Sequence, residues 1–299
     1  RLSVQPVGGH SRKSALIPPT PSDLARLAHQ ARALPLDPNT MSAPYSPPRN
    51  LSRRFSHQEI AEIVARYKAG DSTPKQKLVV GTEATFPPFE MIKDGEYTGF
   101  DMEIIRAIGE NQGYDVEIKH LGFDALIPAV QSGNVDCVIA ALSIDEERAE
   151  KVDFSQPYFN AGLIIAVKQG TTGIESTKDL QGKKIAAQVG TTGAEACRQI
   201  KAKDGKTEVR YFDSVGEAFM ELEKGGVVAV VNDLPVTLDY IQTTGKDSVK
   251  MVGDVFNTDE QYGIAVKKGN SKLLDDINKG LDDIKASGQY DQIYAKWFK

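Results

Sequence analysis

From Lys77 onward the chain alternates short apolar runs with segments whose apolar residues recur every three or four positions. No other feature narrows the fold as far. An unbroken apolar run suits a strand buried on both faces, and a three-to-four spacing suits a helix packed on one side. A chain that switches repeatedly between them builds α/β layers. "KLVVGT" and "DVEIKHL" read as strands, with "FDMEIIRAIGENQG" between them as a helix opened by Asp101 and closed by Gly113. "FDALIPAVQSG" reads as a second helix and "VDCVIAAL" as a buried strand. A second series follows: "KKIAAQV" strand, "GTTGAEACRQI" loop and helix, "SVGEAFMELEKGG" helix, "VVAVV" strand and "NDLPVTLDYIQ" helix. Two α/β lobes are implied. "YGIAVKKG" then reads as a strand, Leu273, Leu274, Ile277, Leu281 and Ile284 form a helical stripe, and "YDQIYAKWF" makes a last short helix.

The first 50 residues differ in texture. Their prolines, Pro18-Pro19, Pro21, Pro35, Pro38, Pro44 and Pro47-Pro48, interrupt helices and leave little to bury, so this stretch is expected to be largely disordered. One amphipathic helix is expected over about 56–69, where Ser56 and Glu59 form a capping box and Ile60, Ile63, Val64 and Tyr67 share a face. Residues 1–75 hold 11 Lys/Arg against 5 Asp/Glu, while the remainder holds 25 against 36, so the body is acidic and no nucleic-acid partner is expected. Cys137 and Cys197 are spaced like neither a zinc site nor a redox pair and read as small buried hydrophobes. No metal or cofactor is expected.

In α/β sheets, ligands bind beyond the carboxyl ends of strands, where helix N-termini offer free amides. Four such junctions stand out: Glu83 with Phe86 after the first strand, Ser143 to Arg148 after "VDCVIAAL", "QVGTTG" at 188–193, and Asn232-Asp233 after "VVAVV". One guanidinium, two carboxylates, hydroxyls and a glycine loop suit a zwitterion. Arg148 could fork onto a carboxylate, with Gly190, Thr191 and Thr192 completing its cradle, and Asp233 could take an ammonium. Glu83 would then meet the ligand's side chain, with Phe86 and Phe123 against its stem. Each residue also has an ordinary reading. Arg148 sits in the charge run "DEERAEK" and could be solvated, Glu83 and Asp233 could be caps, "GTTG" a turn, and the two phenylalanines core.

In ordered series, "LVVGTEATFPPFE", "YTGFDMEIIRAIG", "FDALIPAVQSGNVD", "SIDEERAEKVDFSQPYF", "DLQGKKIAAQVGTTG", "ELEKGGVVAVVNDLPV" and "YDQIYAKWF" closely resemble the periplasmic amino-acid-binding proteins of ABC importers, in the glutamine and basic-amino-acid branch. The resemblance implies a type II periplasmic-binding-protein clamshell. Lobe one would be 77–162 plus 257–299, lobe two 163–256, joined by two hinge strands and preceded by the 1–75 segment. It implies that the ligand α-carboxylate meets Arg148, Ser143 and the Thr191–Thr192 region near Ala141, that Asp233 takes the α-ammonium, that Phe86 and Phe123 flank the side chain, and that Glu83 and Gln188 face its end. Many relatives have Asp where Glu83 stands, and some glutamine binders have a lysine in place of Gln188. A lysine there would repel a cation, so its absence beside Glu83 favours arginine, lysine or ornithine over glutamine. The expected partners are a free amino acid and an importer permease, and the expected state is a monomer outside the cytoplasmic membrane. No secretory-signal pattern is visible in this sequence.

Two other classes share this fold by resemblance. A cyclohexadienyl-dehydratase-like enzyme would use a buried acid, but its substrates do not depend on an α-ammonium, so Asp233 argues for binding. His10, His29, His57 and His120 include none at a matched junction, leaving no evident base for a nucleophile. A ligand-sensing domain is the other, although neither a membrane span nor a signalling module follows the final helix in this sequence.

Overall fold

Strands apolar on both faces must be covered on both sides, and the chain satisfies this twice. The computed structural model describes residues 75–298. The helix expected over 56–69 lies outside the described residues. In chain order the first half runs β1 (Gln76–Thr82), β2 (Thr85–Phe86), β3 (Glu90–Lys93), β4 (Glu96–Thr98), α1 (Phe100–Gln112), β5 (Tyr114–His120), α2 (Leu126–Ser132), β6 (Cys137–Val138), α3 (Glu146–Lys151), β7 (Val152–Phe154) and β8 (Phe159–Asn160). The second half runs β9 (Leu163–Lys168), β10 (Lys184–Gln188), α4 (Thr192–Asp204), β11 (Glu208–Phe212), α5 (Val215–Lys224), β12 (Ala229–Asp233), α6 (Leu234–Gln242), β13 (Val249–Phe256), β14 (Gln261–Tyr262), β15 (Ala265–Lys267), α7 (Ser271–Ala286) and α8 (Gln289–Phe298).

One sheet has the order β5-β1-β6-β15-β7 and the other β11-β10-β12-β9-β13. In each, the second strand is parallel to both neighbours and the fourth is antiparallel to its own. The two sheets are thus organised alike, one per lobe. The chain leaves the first lobe after β8 and returns through β14, and these two strands pair antiparallel with Phe159 opposite Tyr262. Phe89, from the turn after Glu83, packs its ring 4.9 Å from Phe159, 5.2 Å from Tyr262 and 5.2 Å from Phe298 of the last helix. This cluster ties the crossing to the first lobe. Cys137 and Cys197, one in each lobe, are buried, and burial pushes the Cys197 thiol up to about 12 and the Cys137 thiol higher still.

Two local readings from sequence need correction. Gly99, not Asp101, precedes the first turn of α1, because its φ of 130° brings the backbone against Phe89, where a Cβ would lie 2.1 Å from the carbonyl oxygen. Asp101 instead points inward. "VDCVIAAL" pairs as a strand only at Cys137–Val138, because beyond Ile139 the chain leaves the ladder and reaches Ala141, which holds a left-handed φ of 44°. Such a conformation in a residue with a Cβ persists only where surroundings enforce it.

Gly193 opens α4 against β12, and a Cβ there would lie 2.6 Å from the Val231 carbonyl oxygen. Gly193→Ala is therefore expected to push the helix start off its sheet and cost about 1–3 kcal/mol of stability. Urea unfolding of the two proteins measures this, and an unchanged midpoint would contradict the packing.

Candidate functional site

The loops after β1, β6, β10 and β12 meet between the lobes. Glu83 follows β1 and is only 3% exposed. The Thr85 hydroxyl donates to its Oε1, while Oε2 is buried with no partner among the described residues. Burial pushes this carboxyl up to about 7, against the Thr85 hydroxyl and the Gln188 amide, which favour the charged form. His120, set aside in the sequence, steadies the loop: its Nδ1 accepts from the Ala84 N–H at 3.0 Å, leaving the ring's proton on the other nitrogen. Gln188, across the cleft, donates through Nε2 to the Asp213 carbonyl at 3.0 Å, and its Oε1 is buried with no partner among the described residues.

Arg148 resolves its two readings in favour of burial, at 7% exposure despite its charged neighbours. Asp145 caps α3 by accepting the Arg148 N–H at 2.7 Å, which turns the guanidinium inward. Its Nη1 donates to the Ser143 carbonyl at 2.8 Å, its Nη2 to the Gly190 carbonyl at 2.9 Å, and its Nε lies 3.2 Å from Asp145 Oδ2. Gly190 belongs to the second lobe, so this one side chain spans the cleft. A guanidinium has five donors, so one N–H on each Nη stays uncommitted. The Phe123 ring centroid lies 5.5 Å from the guanidinium carbon.

From the second lobe, Thr191 is a cap whose hydroxyl accepts from the Ala194 N–H at 3.1 Å and donates to the Gln188 carbonyl at 2.8 Å. Its side chain is committed to the helix. Inside α4 the first-turn N–H groups of Thr192 and Gly193 have no helical partner and remain available to an anion. Asp233 makes no side-chain cap of α6. It is buried, accepts from the Tyr262 hydroxyl at Oδ2, and is pushed up to about 8 by burial and then by the charge of Glu260, with Arg148 pulling the other way. Phe86 packs into the core 6.5 Å from Phe89, and Ala141 contributes a buried methyl and its strained backbone.

The junction rule passes over three acids that the structure places here. Asp101 accepts from the Ala141 N–H and from the Tyr158 hydroxyl, both at 2.7 Å, and so holds the left-handed residue two positions before Ser143. Glu90 lies beside it, fully buried, with both oxygens unpartnered among the hydrogen bonds of the described residues. Glu260 accepts from the hydroxyls of Ser143 and Thr192, each at 2.6 Å. Glu260 stands just before β14, at the amino end of a strand rather than its carboxyl end, so the junction rule does not single it out.

Two like lobes joined by paired crossing strands, with a buried polar cleft between them, define a solute-binding clamshell of the type II periplasmic kind. The chain belongs to the bacterial extracellular solute-binding proteins, family 3, whose family model matches residues 78–299. A probable histidine-binding protein of Neisseria gonorrhoeae is 32% identical over 229 residues, covering 76% of this chain and 85% of that protein. Among solved structures, an ancestral arginine-binding protein bound to arginine superposes with a TM-score of 0.72 at 49% identity, covering 75% of this chain and 98% of the other. An ancestral arginine-binding protein bound to glutamine gives 0.71 at 48%, covering 74% and 97%. Among the described residues no helix is long and apolar enough to cross a membrane.

Proposed function

We propose that this chain is the solute receptor of an ABC importer and binds a free L-amino acid with a basic side chain, arginine, lysine or ornithine, between its lobes. The observation that carries the reading is a pair of opposed, buried groups in one cleft: Glu83 with an unpartnered oxygen, and Arg148 with two uncommitted N–H groups. The ligand α-carboxylate rests on Arg148 and the first-turn amides of Thr192 and Gly193, close to Ser143. Its ammonium faces Asp233, Phe86 and Phe123 flank its stem, and Glu83 and Gln188 meet its far end. Groups from both lobes are needed, so the ligand favours the closed arrangement through contacts that neither lobe offers alone. The closed receptor acts as a single copy outside the cytoplasmic membrane, delivers to a permease, and releases its ligand chemically unchanged.

Calorimetric titration of the full chain, unfolded and refolded to strip bound ligand, with arginine, lysine, histidine and glutamine tests the reading. Arginine or lysine should bind tightly and glutamine weakly; silence from all four would end it. Glutamine as the tightest ligand would select the second reading, which the Gln188 amide and the relative bound to glutamine favour. The pH dependence offers a separate check. With its carboxyl up near 7, Glu83 holds a proton at pH 6 that a guanidinium must displace. Asp233, near 8, faces the ammonium of either ligand and affects both alike. The ratio of arginine to glutamine affinity should therefore fall as pH drops from 8 to 6, by at most about tenfold per unit. A flat ratio would remove Glu83 from the side-chain site.

A further inference from the structure

Glu260 lies on the returning segment between β13 and β14 and is 8% exposed. Its backbone is fixed at both ends, since its N–H donates to the Asn257 carbonyl at 3.1 Å and its carbonyl accepts from the Ala161 N–H at 2.8 Å on the outgoing segment. The side chain reaches back into the cleft. There a single oxygen, Oε1, receives one hydroxyl from each lobe, Ser143 and Thr192, both at 2.6 Å. The second oxygen, Oε2, is fully buried and has no partner among the described residues.

A hydroxyl has one proton to give. Those of Ser143 and Thr192 are spent on Glu260, so what they present to a ligand is lone pairs, which suit an ammonium rather than a carboxylate. The charges point the same way. The Glu260 carboxylate pushes the buried Asp233 toward its protonated form, and both acids favour the charged form of Arg148. Arg148 is already bound to two carbonyls and to Asp145. Two neighbouring buried acids with one nearby cation are settled either by a proton, as the raised value of Asp233 shows, or by another positive group that displaces it. Asp233 has one oxygen, Oδ2, taken by the Tyr262 hydroxyl, and Glu260 has one oxygen, Oε2, without a partner among the described residues. An ammonium has three N–H bonds to place.

We infer that Glu260 is a second ammonium-binding carboxylate that acts with Asp233, and that its hold on Ser143 and Thr192 makes ammonium recognition and lobe closure one event. This rests on the amino-acid reading above and refines it: the Ser143 and Thr192 side chains serve the ammonium end, and the carboxylate end is left to Arg148 and the first-turn amides. Glu260→Gln is the informative change. Its amide oxygen can still accept both hydroxyls, while its NH2 replaces the acceptor with a donor that an ammonium cannot approach.

The test is calorimetry on the full chain with arginine and with the guanidino acid that is arginine without its α-amino group; for a chain that prefers glutamine the pair is glutamine and glutaramate. Weak binding of the analogue is read by displacement of the amino acid. Glu260→Gln should weaken the amino acid by more than about tenfold and the analogue by less than about threefold. Equal losses for both ligands would reduce Glu260 to a latch and overturn the inference. Asp233→Asn supplies an arm that does not require the Glu260 variant to fold. With Glu260 in place, it should still prefer the amino acid over the analogue, and complete loss of that preference would also overturn the inference. A wild-type chain that binds none of the four amino acids would instead strike down the amino-acid reading and this refinement with it.

Discussion

Arg148→Ala is expected to weaken amino-acid binding by about 2–5 kcal/mol, the range for removing one partner of a buried, hydrogen-bonded charge pair. The loss has two sources. A ligand carboxylate would have only helix amides for partners, and the Ser143 and Gly190 carbonyls would lose the donor that joins the first lobe to the second. Arg148→Lys should recover little, since one ammonium on a flexible stem cannot reproduce the planar fork that reaches both carbonyls and keeps two N–H groups for the ligand. Titration of the refolded variants decides it. Near-normal affinity in Arg148→Ala would remove this residue from the carboxylate site.

Asp101→Ala is expected to lower stability by about 3 kcal/mol, because it strands two buried donors, the Ala141 N–H and the Tyr158 hydroxyl, at about 1–3 kcal/mol each. Affinity should fall as well, since the left-handed turn at Ala141 that leads to Ser143 would lose its tether. Its neighbour Glu90 should behave in the opposite sense. Burial, followed by the charge of Asp101, holds the Glu90 carboxyl well above the usual range, and burial pushes Asp101 up to about 6. An acid whose value is raised on folding binds its proton more tightly in the folded state. Its contribution is therefore greatest below the ordinary carboxylate range and is lost as pH rises through the folded value. Stability of the wild type should decline from pH 5 to 8 on this account. Glu90→Gln keeps the shape without the ionisation, so its decline should be shallower and its urea midpoint at pH 8 equal to or above the wild-type value. A lower midpoint at pH 8 would show that the charged form of Glu90 is the stabilising one.

The fold was readable because its signal is periodic and repeated. The run "VVAVV" has no polar position to offer water and suits a strand covered on both faces; β12 begins at its Ala229 and is fully buried, while Val228 just before it is 38% exposed. Glu83, Arg148, Gln188 and Asp233, all four buried in the structure, were singled out for a related reason: each is a polar residue at the end of a strand or the start of a helix. Glu260 obeys no such rule. It stands in a connection whose course depends on pairing with Ala161, nearly a hundred residues earlier, and a local pattern carries no trace of that. Asp101 misleads for a different reason. Acids in the first turn of a helix ordinarily face solvent and the helix dipole, but Gly99 rolls this turn against Phe89 and drives the carboxylate into the interior. Thr191 and Thr192 show the limit at the level of single atoms. They are adjacent hydroxyls of the same type, yet one caps α4 and the other enters the cleft, and only the backbone path separates them.

The two buried thiols have a practical consequence. Cys137 and Cys197 lie one in each lobe, shielded and resistant to ionisation, so maleimide dyes would find no native target among the described residues. A cysteine introduced at Ile92, 54% exposed on the first lobe, and another at Met220, 47% exposed on the second, could carry a donor and an acceptor fluorophore without background labelling. The protein is in this sense already prepared as an optical gauge, in which the approach of its halves would be followed in real time, one molecule at a time.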